Sequence, residues 1–101
     1  MNNKRKVQYS LLSLLGIALI TELVFWNIAR DEIYYLCSNF SEGVEQSSVI
    51  MQLDTANLSR YQQSVTENGS RIIFSSIVNF NFYQCIIELD KDKTVLSSVF
   101  L

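Results

Sequence analysis

The sequence predicts a single N-terminal transmembrane helix followed by a small α+β domain, mainly an antiparallel β-meander outside the cytoplasm. Three observations carry this reading. Residues 7–29 are an apolar run with one charge, Glu22. Lys4, Arg5 and Lys6 cluster immediately before it. Beyond residue 48, β-branched and aromatic residues recur between two turn signals, Asn68-Gly69 and Asp90-Lys91-Asp92-Lys93.

The apolar run has 23 residues. At 1.5 Å per residue a helix of that length spans roughly 34 Å, enough for a hydrocarbon core of about 30 Å. The three cations on its N-terminal side place residues 1–6 in the cytoplasm as a basic tail, by the positive-inside rule. Phe25 and Trp26 fall near the outer end, where aromatic rings suit the membrane interface. The run exceeds the length of a signal-peptide core, and Asn27-Ile28-Ala29 lacks the small residue a cleavage site needs at its first position. An uncleaved anchor is therefore expected. A pilin-type leader does not fit, because the spacing from Gly16 to Glu22 is one residue too long.

Residues 30–101 form the expected periplasmic β-rich domain. Its five basic and nine acidic residues leave it at net −4, which disfavours a phosphate backbone as partner, so no nucleic-acid binding is expected. Residues 30–37 are expected to extend the helix by a turn or two, and residues 38–48 to form a loop around Gly43. Residues 49–53 read as a short strand and residues 55–60 as a possible helical turn. Residues 62–66 then enter a hairpin at Glu67-Asn68-Gly69-Ser70, since Asn and Gly both accept positive φ. Residues 71–82 read as a long strand, with Ile72, Phe74, Val78, Phe80 and Phe82 on one face and Asn79 and Asn81 on the other. The apolar phase changes at Tyr83, Cys85, Ile87 and Leu89, which requires a bend near Phe82-Tyr83. Residues 94–100 supply the last strand, in a sheet of four or five. The apolar end at Phe100-Leu101 implies packing against something, or a truncated chain.

Cys37 and Cys85 are the only cysteines and fall on the same, outer side. In an oxidising compartment they are expected to form one disulfide. No strongly basic neighbour suggests a reactive thiol. Glu22 is an ionisable group inside the apolar run, by default a functional candidate. It either contacts a partner helix or hydrogen-bonds locally beside Thr21. Ser10, Ser13 and Gly16 form a weaker stripe of small residues, and close self-packing is not supported.

Chemistry is sparse elsewhere. The chain has no histidine, so Ser-His and Cys-His nucleophiles are excluded, and no spacing suits a metal. No cofactor is expected. Asp90-x-Asp92 lacks the rest of a calcium loop and reads as a solvated turn. The Asn-x-Ser triplets at Asn39, Asn57 and Asn68 read as chance occurrences in an Asn- and Ser-rich chain. Phe74, Phe80, Phe82 and Tyr83 could line a small-ligand pocket, although such rings are more often ordinary core.

Trp26, the run Tyr35-Leu36-Cys37-Ser38-Asn39-Phe40, and Arg71-Ile72-Ile73-Phe74 ahead of Cys85 resemble the FidL-like inner-membrane proteins of enteric bacteria, over residues 26–89. The resemblance implies one N-terminal helix, a periplasmic β-rich domain and association with membrane-embedded winged-helix transcription regulators. It implies no catalytic residues. The leading expectation is a non-enzymatic accessory protein that binds and modulates a membrane partner, such as a regulator of that kind. The alternatives are a periplasmic immunity or exclusion protein, whose acidic surface would suit a basic toxin, and a small-ligand sensor.

Overall fold

The structure, a computed structural model, describes residues 2–101; Met1, the first residue of the expected basic tail, lies outside the described residues. Asn2 caps the first helix by accepting the Lys4 amide at 2.9 Å, which satisfies one amide that a helix start leaves unpaired. Helix α1 (Asn3–Ser38) then runs unbroken for 36 residues, about 54 Å. The chain contains no proline, and Gly16 meets no neighbouring atom. The basic residues are thus the first turn of α1 and not a separate tail. The helix is long and apolar enough to cross a membrane, and its apolar window is left bare by the rest of the chain.

Past residue 29 the helix continues, as expected, and becomes amphipathic. Ala29, Ile33 and Cys37 are buried at four-residue intervals, and Phe40 follows them into the core. That stripe is how the domain grips the helix. A second tie comes from Glu32, whose two carboxylate oxygens accept the amides of Asn57 and Leu58 at 3.1 and 3.2 Å. Glu32→Ala leaves both amides without this acceptor. A loss of about 2 kcal/mol is expected, since hydrogen bonds to a charged group contribute more than neutral ones. A chemical-denaturation midpoint indistinguishable from wild type would contradict it.

Residues 39–45 form the loop, shorter than expected because α2 (Gln46–Leu53) follows at once. This corrects the strand expected at 49–53. Val49 and Leu53 are buried one helical turn apart, whereas Met51, which alternation would place beside them, is 70 % exposed. No helical turn forms at 55–60, and Arg60 already belongs to the sheet.

Among the described residues the sheet has four antiparallel strands, β1 (Arg60–Thr66), β2 (Gly69–Ser75), β3 (Gln84–Asp90) and β4 (Val95–Phe100), in the order β1-β2-β3-β4. The hairpin is where the sequence placed it, with one correction. Thr66 pairs with Gly69, so Glu67 and Asn68 are the loop residues, and of the Asn-Gly pair only Gly69 has positive φ. One face of the sheet closes on α1 and α2. Its core joins Ile72 and Phe74 of β2, Cys85, Ile87 and Leu89 of β3, and Val95 of β4 to the helix residues. The loop before α2 lies against the start of β4, where the Gly43 amide bonds Val95 and the Val95 amide bonds Val44.

The long strand expected over 71–82 is the main departure. The chain leaves the sheet after Ser75, and the Ser76 hydroxyl accepts the Val78 amide to start a 3-10 turn at Ile77–Asn79. The expected faces then invert: Asn79 is buried, and Phe80 and Phe82 are exposed. The bend near Phe82-Tyr83 and the odd-numbered burial of Cys85, Ile87 and Leu89 are as expected.

The charged turn at 90–93 is organised by Asp90. Its carboxylate accepts the Thr94 hydroxyl at 2.7 Å and the amides of Thr94 and Asp92 at 3.0 and 2.9 Å. These donors, the Thr94 hydroxyl foremost, hold its pKa below the ordinary aspartate value. The folded value is the lower one, so this contribution to stability is present above the unfolded value of about 3.9 and is lost as pH falls through the folded one. Thr94→Val should shift the Asp90 titration upward, followed by carboxyl NMR. An unmoved midpoint would count against the assignment.

Candidate functional site

Two surfaces meet where α1 enters the domain. The first is the bare helix. Glu22 is exposed on it, and among the described residues no hydrogen bond or ion pair engages its carboxyl. Beside it, the Thr21 hydroxyl donates to the Ile17 carbonyl at 2.8 Å and not to Glu22. Glu22 lies seven residues, about two turns, before buried Ala29 and four before Trp26. Helical geometry therefore aligns it with the Ala29, Ile33 and Cys37 stripe that holds the domain. A second helix that reached Glu22 would also meet the underside of the domain.

The second surface is an aromatic collar around Trp26. The rings of Phe80, Phe82 and Tyr83 lie 6.2, 6.0 and 6.2 Å from the indole. Tyr83 stacks on Phe100 at 5.9 Å, and Phe100 meets Tyr34 edge-on at 5.3 Å. The 3-10 turn packs on α1 beside these rings. Ala29 and Asn79 are both fully buried, and neither polar atom of the Asn79 side chain is hydrogen-bonded.

Phe74, Phe80, Phe82 and Tyr83, a possible pocket lining or ordinary core by sequence, are divided between core and surface. Phe74 is fully buried in the core, while Phe80 and Phe82 face outward. The four rings therefore do not surround one cavity. A recess lies elsewhere, on the open face of the sheet: a cleft of about 430 Å³ lined by residues that include Arg60, Gln62, Ile73 and Gln84. Sequence reading did not single these out. The strand register makes them legible afterwards, since Gln62 pairs with Ile73 and Ser75 with Gln84. Arg71 and Glu88, directly opposite on β2 and β3, form an ion pair on the same face.

Cys37 and Cys85 are joined, with Cα atoms 5.7 Å apart, and link the last turn of α1 to the second residue of β3. A disulfide in this position implies an oxidising compartment. Lys4, Arg5 and Lys6 are exposed at the other end of α1. Near the collar, Arg30 binds the Asp31 carboxylate at 3.2 Å. This hydrogen bond, with a smaller contribution from Tyr83, raises the guanidinium pKa.

Comparison of the chain with family models, curated proteins and solved structures finds no match.

Proposed function

We propose that this chain is a single-pass inner-membrane protein, with its basic end in the cytoplasm and residues 30–101 in the periplasm, and that it is a non-enzymatic accessory that binds and modulates a membrane partner. The observation that carries the reading is Glu22. A carboxyl within an apolar span is costly unless something engages it. Here it has no engagement among the described residues, and it lies on the helix face that continues beneath the domain. A partner that meets this face with a basic or hydroxylated side chain, and meets the acidic domain above it, is bound at two levels at once. The partner class we infer is a membrane-integrated transcription regulator, on the likeness of residues 26–89 to FidL-like proteins.

A photo-crosslinker at position 22, and another at Gln62 on the open face of the sheet, should capture one dominant membrane protein in cells. Glu22→Leu, read with the Gln62 crosslinker, should reduce that capture by roughly tenfold, in the range of an interhelical polar contact of 1–2 kcal/mol. Recovery of the chain alone from both positions would overturn the reading. The net −4 domain supports one other reading, a periplasmic immunity or exclusion protein facing a basic toxin. Deletion that sensitises cells to a bacteriocin without altering transcription would favour that one.

A further inference from the structure

We propose that the β2–β3 connection, residues 76–83, is a second membrane contact: Ile77, Phe80 and Phe82 lie in the interfacial layer of the bilayer beside Trp26, so the domain rests on the membrane instead of swinging from its helix. This rests on the reading of α1 as the anchor and assigns a role to a different part of the chain.

Depth is the first argument. Trp26 lies within the apolar span, three residues short of its end at Ala29, about 5 Å along the axis. An indole at that level occupies the interface. With ring centres 6.2 and 6.0 Å away, Phe80 and Phe82 lie within about 6 Å of that level, close enough for the lipid that surrounds α1 there to reach them. The disulfide tethers this loop to α1. Cys85 follows Phe82 by three residues, and its partner Cys37 stands eleven residues, about 16 Å, above Trp26.

Exposure is the second. Ile77, Phe80 and Phe82 are 81, 79 and 68 % exposed, although water disfavours three large apolar side chains on one short loop. The backbone is held in the form that presents them. Phe80 and Asn81 have φ of 54° and 58°, a region that bulky residues rarely visit and that persists only where the surroundings enforce it. The enforcing bonds run from the Asn81 amide to Ser76 at 2.7 Å, from the Phe82 amide to Asn79 at 2.9 Å, and between the Ser75 and Asn81 side chains at 2.9 Å.

Charge is the third. No charged residue occurs between Arg71 and Glu88. In the β1-β2-β3-β4 meander, the two other turns, bearing Glu67 and the 90–93 cluster, lie at the opposite end of the sheet. The 76–83 connection is therefore uncharged and aromatic, with Arg60 and Arg30 at its margin, whereas the turns at the other end of the sheet are themselves charged. A bilayer interface matches this connection in chemistry and in position.

The test uses the full chain, purified and reconstituted alone in phosphatidylcholine vesicles, and exploits Trp26 being the one tryptophan. Lipids brominated at shallow or deep acyl positions report the depth of a fluorescent indole. Wild type gives the level of Trp26. Trp26→Phe with Phe80→Trp, and separately Trp26→Phe with Phe82→Trp, moves the reporter into the loop. Two loop positions are used because Phe80 has left-handed backbone, and an intact disulfide on a non-reducing gel checks each fold. The expected result is blue-shifted emission, shallow-bromolipid quenching that matches wild type, and loss of quenching by aqueous iodide. Red-shifted emission in both reporters, quenched by iodide and not by bromolipid, would overturn the proposal and leave the loop to a protein partner. A wild-type Trp26 that bromolipid does not quench would instead overturn the anchor reading, and the proposal with it.

Discussion

Replacing Cys37 and Cys85 together by alanine is expected to lower the stability of the 30–101 domain by about 4 kcal/mol in the chain-entropy account of a disulfide. The two residues are 48 apart in sequence, so the bond removes a large closed loop from the freedom of the unfolded chain. A 72-residue domain holds on the order of 4–11 kcal/mol in total, and the loss therefore takes much of what there is. The location adds to the effect. Cys85 is fully buried and Cys37 nearly so, and the bond ties α1 to β3 in the middle of the core. Thermal melts in detergent micelles should show the midpoint fall by about 20 °C, given 4–8 °C per kcal/mol for a domain of this size. Reductant acting on the wild-type chain should reproduce most of that fall. If reduction leaves the midpoint unmoved while the alanine pair lowers it, the sulfurs serve as packing and not as a cross-link.

The legible parts of this fold are those where one local signal met no competitor. Lys4, Arg5, Lys6 and the bare run after them specify a long helix because nothing in residues 3–38 breaks it. Cys85, Ile87 and Leu89 alternate cleanly, and β3 buries those three. Residues 46–53 carried two patterns at once. Val49, Met51 and Leu53 alternate as a strand would, but Val49 and Leu53 are also one helical turn apart. A helix allows that pair to close over the sheet while Met51 faces out, and packing decides between the patterns. The run after Phe74 departs for another reason. Alternation alone continues the strand across Ser75-Ser76, but a serine there can cap a turn as well as continue a strand. Burial of Asn79 and exposure of Phe80 and Phe82 reverse the water-based rule, and they do so beside Trp26, where α1 leaves its apolar span. The alignment of Glu22 with the domain-bearing stripe was readable in principle from the seven-residue spacing to Ala29. The aromatic collar was not, because it depends on where a loop 50 residues further along comes to lie.

Gly69→Ala is expected to be the most damaging of the glycine substitutions, for a steric reason that a torsional one would not reproduce. A Cβ at position 69 would stand 2.0 Å from the Leu89 carbonyl oxygen and within 2.9 Å of two backbone atoms of Asp90. Both neighbours belong to β3, where Gly69 pairs with Asp90 and Ser70 with Leu89, so no flexible side chain can turn aside. The start of β2 must move away from β3, at a cost of about 3 kcal/mol, the upper end of ordinary overpacking. Gly43 is the torsional comparison. Its φ is +92° with no atom within 4 Å of an added Cβ, so Gly43→Ala carries strain alone, about 1 kcal/mol. Gly16, in the bare helix with open space around it, should accept alanine without loss. The expected order of melting midpoints is therefore Gly69→Ala lowest by about 15 °C, Gly43→Ala lower by about 5 °C and Gly16→Ala unchanged. Equal losses at positions 69 and 43 would mean that the β2–β3 contact is slack.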